Sequence, residues 1–204
     1  MNIGVFASGR GSNFQAILDA VDQRVLTVSV SLLICNKSDA GALEIARARN
    51  IPAVHLSQKQ FPDEPSFAAA MLQHLKERNV QLIALAGYLK KIPTIVVREY
   101  RNRILNIHPA LLPSFGGHGM YGHFVHEAVL ASGAKFSGAT VHLVDEEYDR
   151  GPIVMQKVVP VEEGDTPETL AARVLRIEHE IFPLAIKAFD ENRISFHERS
   201  VWIH

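Results

Sequence analysis

The feature that most constrains this chain is a repeated alternation of short apolar runs with stretches of helical periodicity. Apolar runs occur at Asn2–Ala7, Val28–Ile34, Ala53–Leu56, Leu82–Ala86 and Ile104–Ile107. Helix-like stretches fall between them at about Asn13–Val21, Ala42–Arg49, Ser66–Arg78 and Pro93–Tyr100. Continuous apolar runs of this length read as strands buried on both faces, and an intervening helix supplies the crossover that parallel neighbours need. The expectation is an α/β, doubly wound, mostly parallel sheet. The pattern then changes. Ser137–Val144 and Ile153–Val159 also read as strands, but only Asp145–Pro152 separates them, too few residues for a helical crossover. They predict an antiparallel hairpin toward the C-terminus. A long final helix follows, with Thr166 as N-cap and Pro167 at the first helical position. Pro183 is expected to kink or end it.

Composition narrows the function classes. The 204 residues are 47% hydrophobic, and Lys plus Arg total 21 against 22 for Asp plus Glu, a net charge of -1. No overall field draws such a chain to nucleic acid or to an anionic membrane, so small molecules are the expected partners. The lone cysteine, Cys35, forms no internal disulfide, and no apolar run is long enough to span a bilayer. A cytoplasmic protein, monomer or homodimer, is expected. The reading is of a single domain over 1–204, with halves at 1–100 and 101–204.

Ser8-Gly-Arg-Gly-Ser-Asn13 follows the first strand and opens the first helix. Unpaired backbone N–H groups and the positive end of the helix dipole converge there, which favours an anion. Gly9 and Gly11 let the backbone turn and approach a ligand, while Ser12 and Asn13 add side-chain hydrogen bonds. The simpler reading is that Ser12 caps the helix with Gln15 completing a capping box. Neither the Walker lysine nor the dinucleotide spacing is present, so ATP and NAD lose ground.

Ile104-Leu-Asn-Ile-His108 alternates, so Asn106 and His108 project from one side of a strand at its carboxyl end, where open α/β sheets place ligands. An amide and an imidazolium side by side can donate to an oxygen that gains charge during carbonyl addition. The same histidine is equally readable as structural.

Asp145, Glu146, Glu147 and Asp149 crowd the hairpin tip, ordinarily a solvated turn. Gly151-Pro152 after Asp149 can fix the backbone and turn that carboxylate toward His108, raising the imidazole pKa. On the last helix Glu178 shares a face with Val174, Leu175, Ile181 and Phe182, so it requires a donor from the protein or from a ligand. His108, His118, His123 and His126 lie close in sequence, but their intervals form no strong metal signature, and the glycines from Gly116 to Gly122 read as a segment that covers a site.

Ala7-Ser-Gly-Arg-Gly-Ser-Asn13, Leu85-Ala-Gly-Tyr-Leu89, Asn106-Ile-His-Pro-Ala-Leu-Leu-Pro113 and Val141 to Pro152 together resemble the folate-dependent phosphoribosylglycinamide formyltransferases of purine biosynthesis. The resemblance spans nearly the whole chain and implies a Rossmann-like formyltransferase fold. It implies transfer of a formyl group from 10-formyltetrahydrofolate, as co-substrate, to the amine of glycinamide ribonucleotide, without metal. It assigns Gly11, Ser12 and Asn13 to the ribonucleotide phosphate and Glu178 to the ribonucleotide. It sets the pterin against Leu89, Lys90, Lys91, Ile92 and the backbone of the Asp145–Asp149 loop, with Asn106 also contacting the folate and Asn106, His108 and Asp149 as the catalytic groups. Two departures stand out. Glu64 occupies the place of a folate-binding arginine, leaving Lys90 and Lys91 as nearby cations, and the Gly116–Val125 segment is longer than in the shortest members. A hydrolase releasing formate from the same folate and a non-catalytic sugar-phosphate sensor are the alternatives.

Overall fold

The computed structural model describes residues 1–204. Seven strands form one sheet in the order β3-β2-β1-β4-β5-β6-β7, and two more, β8 and β9, pair separately. The strands are β1 Asn2–Ala7, β2 Ser29–Cys35, β3 Ala53–His55, β4 Leu82–Leu85, β5 Ile104–His108, β6 Phe136–Leu143, β7 Ile153–Pro160, β8 Ile194–His197 and β9 Ser200–Ile203. The helices are α1 Ser12–Asp22, α2 Gly41–Ala48, α3 Glu64–Glu77, α4 Thr94–Glu99, α5 His123–Ala131 and α6 Pro167–Asp190. The chain divides into two compact units, Met1–Leu105 and Asn106–His204.

In the first unit β1 pairs in parallel with β2 and β4, and β2 with β3, the arrangement that the apolar runs and their helical spacers call for. Ile3, Val5, Phe6, Leu32 to Cys35 and Leu82 to Leu85 are buried, and the apolar stripes of α1 (Phe14, Ile17, Leu18) and α3 (Phe67, Met71, Leu75) bury with them. Each fully buried residue of this size contributes about 1.5–3 kcal/mol. Asp63 caps α3 by accepting from the Ser66 amide at 2.8 Å.

In the second unit β6 and β7 form the expected antiparallel hairpin, from Phe136 opposite Pro160 to His142 opposite Ile153. Thr166 caps α6, and its amide donates in return to Thr169 Oγ1 at 2.9 Å, a reciprocal capping box. Arg173 fixes the approach to that cap, its guanidinium donating to both Asp165 oxygens and to Glu162.

Three local expectations are corrected, and one element is additional. Pro183 does not end α6, which runs on to Asp190. An interior proline costs about 3 kcal/mol, and burial of Ile181, Phe182 and Ile186 on the same helix outweighs it. Ser12 is not the cap of α1: Gly11 takes that position at φ +84°, no side chain caps the helix, and Gln15 bonds instead to Asp19. The Gly116–Val125 segment is not all loop, since His123 begins α5. The β8–β9 hairpin has no counterpart in the sequence reading; Phe196 and Trp202 expose their faces, so no buried apolar run announces it. No helix is long and apolar enough to cross a membrane.

Candidate active site

The polar groups of the second unit converge where β5 ends. Asn106 and His108 come from that strand, and the turn that follows is pinned from the hairpin. Thr140 Oγ1 donates to the Ala110 carbonyl at 2.6 Å and accepts from the Leu112 amide at 3.1 Å. Gln156 Nε2 donates to the Leu112 carbonyl at 2.9 Å. Leu111 and Leu112 thus leave β5 along a fixed path, and the chain returns at Phe115 to Gly117.

Asp149 arrives from the loop between β6 and β7. Glu146 and Glu147 face solvent, whereas the Asp149 side chain is only 12% exposed and turns inward. Its φ of +54° lies in the left-handed region, disfavoured for a residue with a Cβ. The backbone is held there by close approach: a Cβ on Gly151 would lie 1.8 Å from the Leu143 carbonyl oxygen. Glycine at 151 is therefore a requirement of the packing.

Asp149 Oδ2 accepts from the Gly117 amide at 2.9 Å and lies 3.6 Å from His108 Nδ1. Its Oδ1 lies 3.5 Å from His142 Nε2, which is 3.0 Å from Asn106 Nδ2. Asn106, His142, Asp149 and His108 thus form one connected group. The carbonyl oxygens around the imidazoles fix where protons sit. His142 Nδ1 donates to the Leu143 carbonyl at 2.8 Å, and its Nε2 lies between the Asn106 amide at 3.0 Å and Asp149 Oδ1 at 3.5 Å. His108 Nε2 donates to the Phe115 carbonyl at 2.8 Å, so a second proton on this ring faces Asp149 from Nδ1.

Burial lowers the His108 pKa; the Asp149 charge and the Phe115 carbonyl oppose this without reversing it. The sequence expectation of a raised value is corrected, because the cost of removing a cation from water exceeds the attraction of a carboxylate that is not in direct contact. For Asp149 the balance goes the other way: burial raises its pKa, but His142, the His108 charge and the Gly117 amide together hold it below the usual carboxylate range.

His142 is the participant that sequence reasoning missed. It sits in a strand where Ser137 to Leu143 are all buried, and a polar ring in such a run is the signal that would have found it. His126, on α5, is buried with no hydrogen-bond partner for Nδ1, and its pKa falls to about 4 through burial and the nearby charges of His108 and His123. No group of three or more His, Cys, Asp or Glu side chains is arranged to hold a metal ion.

The glycine loop belongs to the first unit. A Cβ on Gly11 would come within 2.9 Å of the Ala42 Cβ, so α2 packs directly against the turn. Ser8 ties three segments together: its hydroxyl donates to Asn36 Oδ1 at 2.6 Å and accepts from the Leu89 amide at 2.8 Å, while its amide donates to the Gly87 carbonyl at 3.1 Å. Ser12 is exposed and Asn13 buried. In the 89–92 segment Leu89, Lys90 and Lys91 are exposed and Ile92 is buried. Glu64 opens α3 and is exposed. In the second unit Glu178 is 8% exposed on the same helix as the buried Val174, Ile181 and Phe182.

Residues 1–186 match the model of the formyl transferase family. The chain belongs to that family. This family member is 45% identical over 98% of its length to phosphoribosylglycinamide formyltransferase, chloroplastic, from Vigna unguiculata, of which it spans 64%. It is 36% identical to the Escherichia coli (strain K12) phosphoribosylglycinamide formyltransferase, with 100% of the chain and 93% of that relative covered. Glycinamide ribonucleotide transformylase 1 from Symbiobacterium toebii matches in three dimensions with a TM-score of 0.94 and 40% identity, over 100% of this chain and 93% of that one. With either of these last two relatives the likeness extends over nearly the full length of both chains.

Proposed function

We propose that this protein transfers the formyl group of 10-formyltetrahydrofolate to the amine of phosphoribosylglycinamide, a step of purine biosynthesis. The observation that carries the reading is the connected group of Asn106, His142, Asp149 and His108, held at a strand end in a member of the formyl transferase family.

The free amine attacks the formyl carbon, a C–N bond forms, and the carbonyl oxygen becomes an oxyanion. The oxyanion takes the place of the Phe115 carbonyl on His108 Nε2 and draws a second hydrogen bond from the Asn106 amide. Each such donor contributes about 10²- to 10³-fold in rate. Two negative neighbours, the oxyanion and Asp149, then favour the imidazolium that burial disfavours in the ligand-free protein. Collapse of the adduct breaks the bond to the folate nitrogen, and Asp149 relays to that nitrogen the proton shed by the amine. The phosphate of the ribonucleotide is assigned to the amides of Gly11, Ser12 and Asn13 at the start of α1, the ribonucleotide to Glu178, and the folate to Leu89, Lys90, Lys91 and Ile92. The scheme calls on no metal ion.

The test is to incubate the purified protein with both substrates and follow deformylated folate together with formylated ribonucleotide. The reading predicts equal amounts of the two. Formate release without ribonucleotide identifies a hydrolase instead. Ribonucleotide binding without any turnover leaves the sugar-phosphate sensor.

A further inference from the structure

We infer that Arg199, at the tip of the β8–β9 hairpin, is a positioning residue for Asp149. The inference rests on the formyl-transfer reading above and adds to it a contribution from residues beyond the 1–186 stretch that the family model matches.

The contact is a single short bond. Arg199 Nη2 donates to the Arg150 carbonyl oxygen at 2.7 Å. That oxygen belongs to the peptide joining Arg150 to Gly151, one residue beyond Asp149, whose φ is +54°. On its inner side this segment is held by the Gly117 amide on Asp149 Oδ2 and by the close approach of Gly151 to the Leu143 carbonyl. The guanidinium holds it from the outer side. The Arg150 carbonyl is exposed, so water satisfies it equally well; what Arg199 adds is a fixed orientation for the peptide.

The hairpin is braced to act as such an arm. Its strands pair from Ile194 opposite Ile203 to His197 opposite Ser200, and β9 packs against β7. At its base Arg193 donates from Nη1 to the His204 carbonyl and from Nε to Glu191, and the His204 amide returns to the Arg193 carbonyl, with distances of 2.7–2.9 Å. At its tip Glu198 and Arg199 form a two-residue turn with Glu198 at φ +54°. Such turns prefer Asn-Gly or Gly. Glu-Arg is a poor local choice, and the bond from Arg199 to Arg150 offsets it.

Arg199→Ala and Arg199→Lys in the full chain test this. Loss of one charge-assisted bond is expected to lower kcat by about three- to tenfold, with KM for both substrates within about twofold and the lysine variant recovering most of the loss. A readout that needs no turnover is the NMR titration of the His108 imidazole without substrates. With Asp149 loosened, its midpoint moves down in the alanine variant and not in the lysine variant. Unchanged kcat and an unchanged titration overturn the inference, as does a loss confined to KM. If the wild-type protein transfers no formyl group, the functional reading fails, and the His108 titration alone decides the role of Arg199.

Discussion

The carbonyl oxygen of Phe115 lies 2.8 Å from Nε2 of His108, so a protein oxygen holds the donor that the proposed reaction gives to a substrate oxygen. Phe115 itself has a φ of +55°, a conformation its side chain disfavours. In the proposed reaction, removing the donor removes stabilisation of the adduct and leaves the glycine loop at Gly11 intact. His108→Ala is therefore expected to lower kcat by about 10²- to 10³-fold while KM for the ribonucleotide changes little. Steady-state kinetics with each substrate varied in turn check this; a rise in KM at unchanged kcat contradicts it.

Asp149→Asn keeps the shape of the side chain and removes its charge. The imidazolium on His108 then loses the neighbour that supports it at Nδ1, 3.6 Å away. A fall in kcat of about 10²-fold or more is expected, and the His108 titration midpoint moves to lower pH. Equal titrations in wild type and variant contradict the pairing.

As pH falls below 7, stability responds to His126 before it responds to Asp149. Asp149 has its pKa held below the usual carboxylate range, so it remains charged above about pH 4 and its stabilising contribution is lost only on going lower. His126 is the opposite case of a base kept neutral by burial, with a pKa of about 4 against the ordinary 6.5. Between these values the unfolded chain binds the proton and the folded one does not, so stability falls as pH drops from 6.5 to 4 and the loss is complete below that. The loss is roughly 3 kcal/mol. Melting temperature against pH checks it: His126→Leu is expected to flatten this window, and an unaltered slope contradicts the assignment.

Two glycines separate the positioning of the acid from the proposed binding of phosphate. Gly151→Ala drives a Cβ toward the Leu143 carbonyl, so the Asp149 segment has to move. A loss of about 1–3 kcal/mol in stability and a lower kcat are expected. Gly11→Ala combines a φ of +84° with a clash against Ala42 and disturbs the start of α1. Its expected signature is a raised KM for the ribonucleotide with kcat largely retained. Urea denaturation and kinetics on the two variants distinguish these patterns.

Much of this fold is legible in the sequence because the determinants are local. The apolar runs of β1, β2 and β4 are parallel strands with buried cores, β3 is the half-exposed edge strand beside β2, and Thr166-Pro167 starts α6 where geometry requires. What escaped depends on contacts distant in sequence. Pro183 is carried inside α6 because the residues around it are buried, a fact about the surroundings and not about proline. Ser12 has the composition of a cap, yet Gly11 takes the position because α2 packs against the turn at Ala42. Asn106 and His108 are legible as a pair from strand alternation, the Gly-Pro after Asp149 allows that acid to turn inward, and only the family resemblance joins the three. His142 shows only as a polar ring in a strand, because its partners come from β5 and from the following loop. The direction of the His108 pKa was misread for the same reason: sequence names the carboxylate beside the ring but not how deeply the ring is buried.

The most direct measurement is a crystal structure with phosphoribosylglycinamide and a non-transferring formyl-folate analogue bound together. The account predicts the analogue's carbonyl oxygen within hydrogen-bond distance of Asn106 Nδ2 and His108 Nε2, the Phe115 carbonyl displaced, and the phosphate on the amides of Gly11 to Asn13. A complex in which both ligands are bound while His108 remains on Phe115 and the formyl carbon lies away from Asn106 contradicts it.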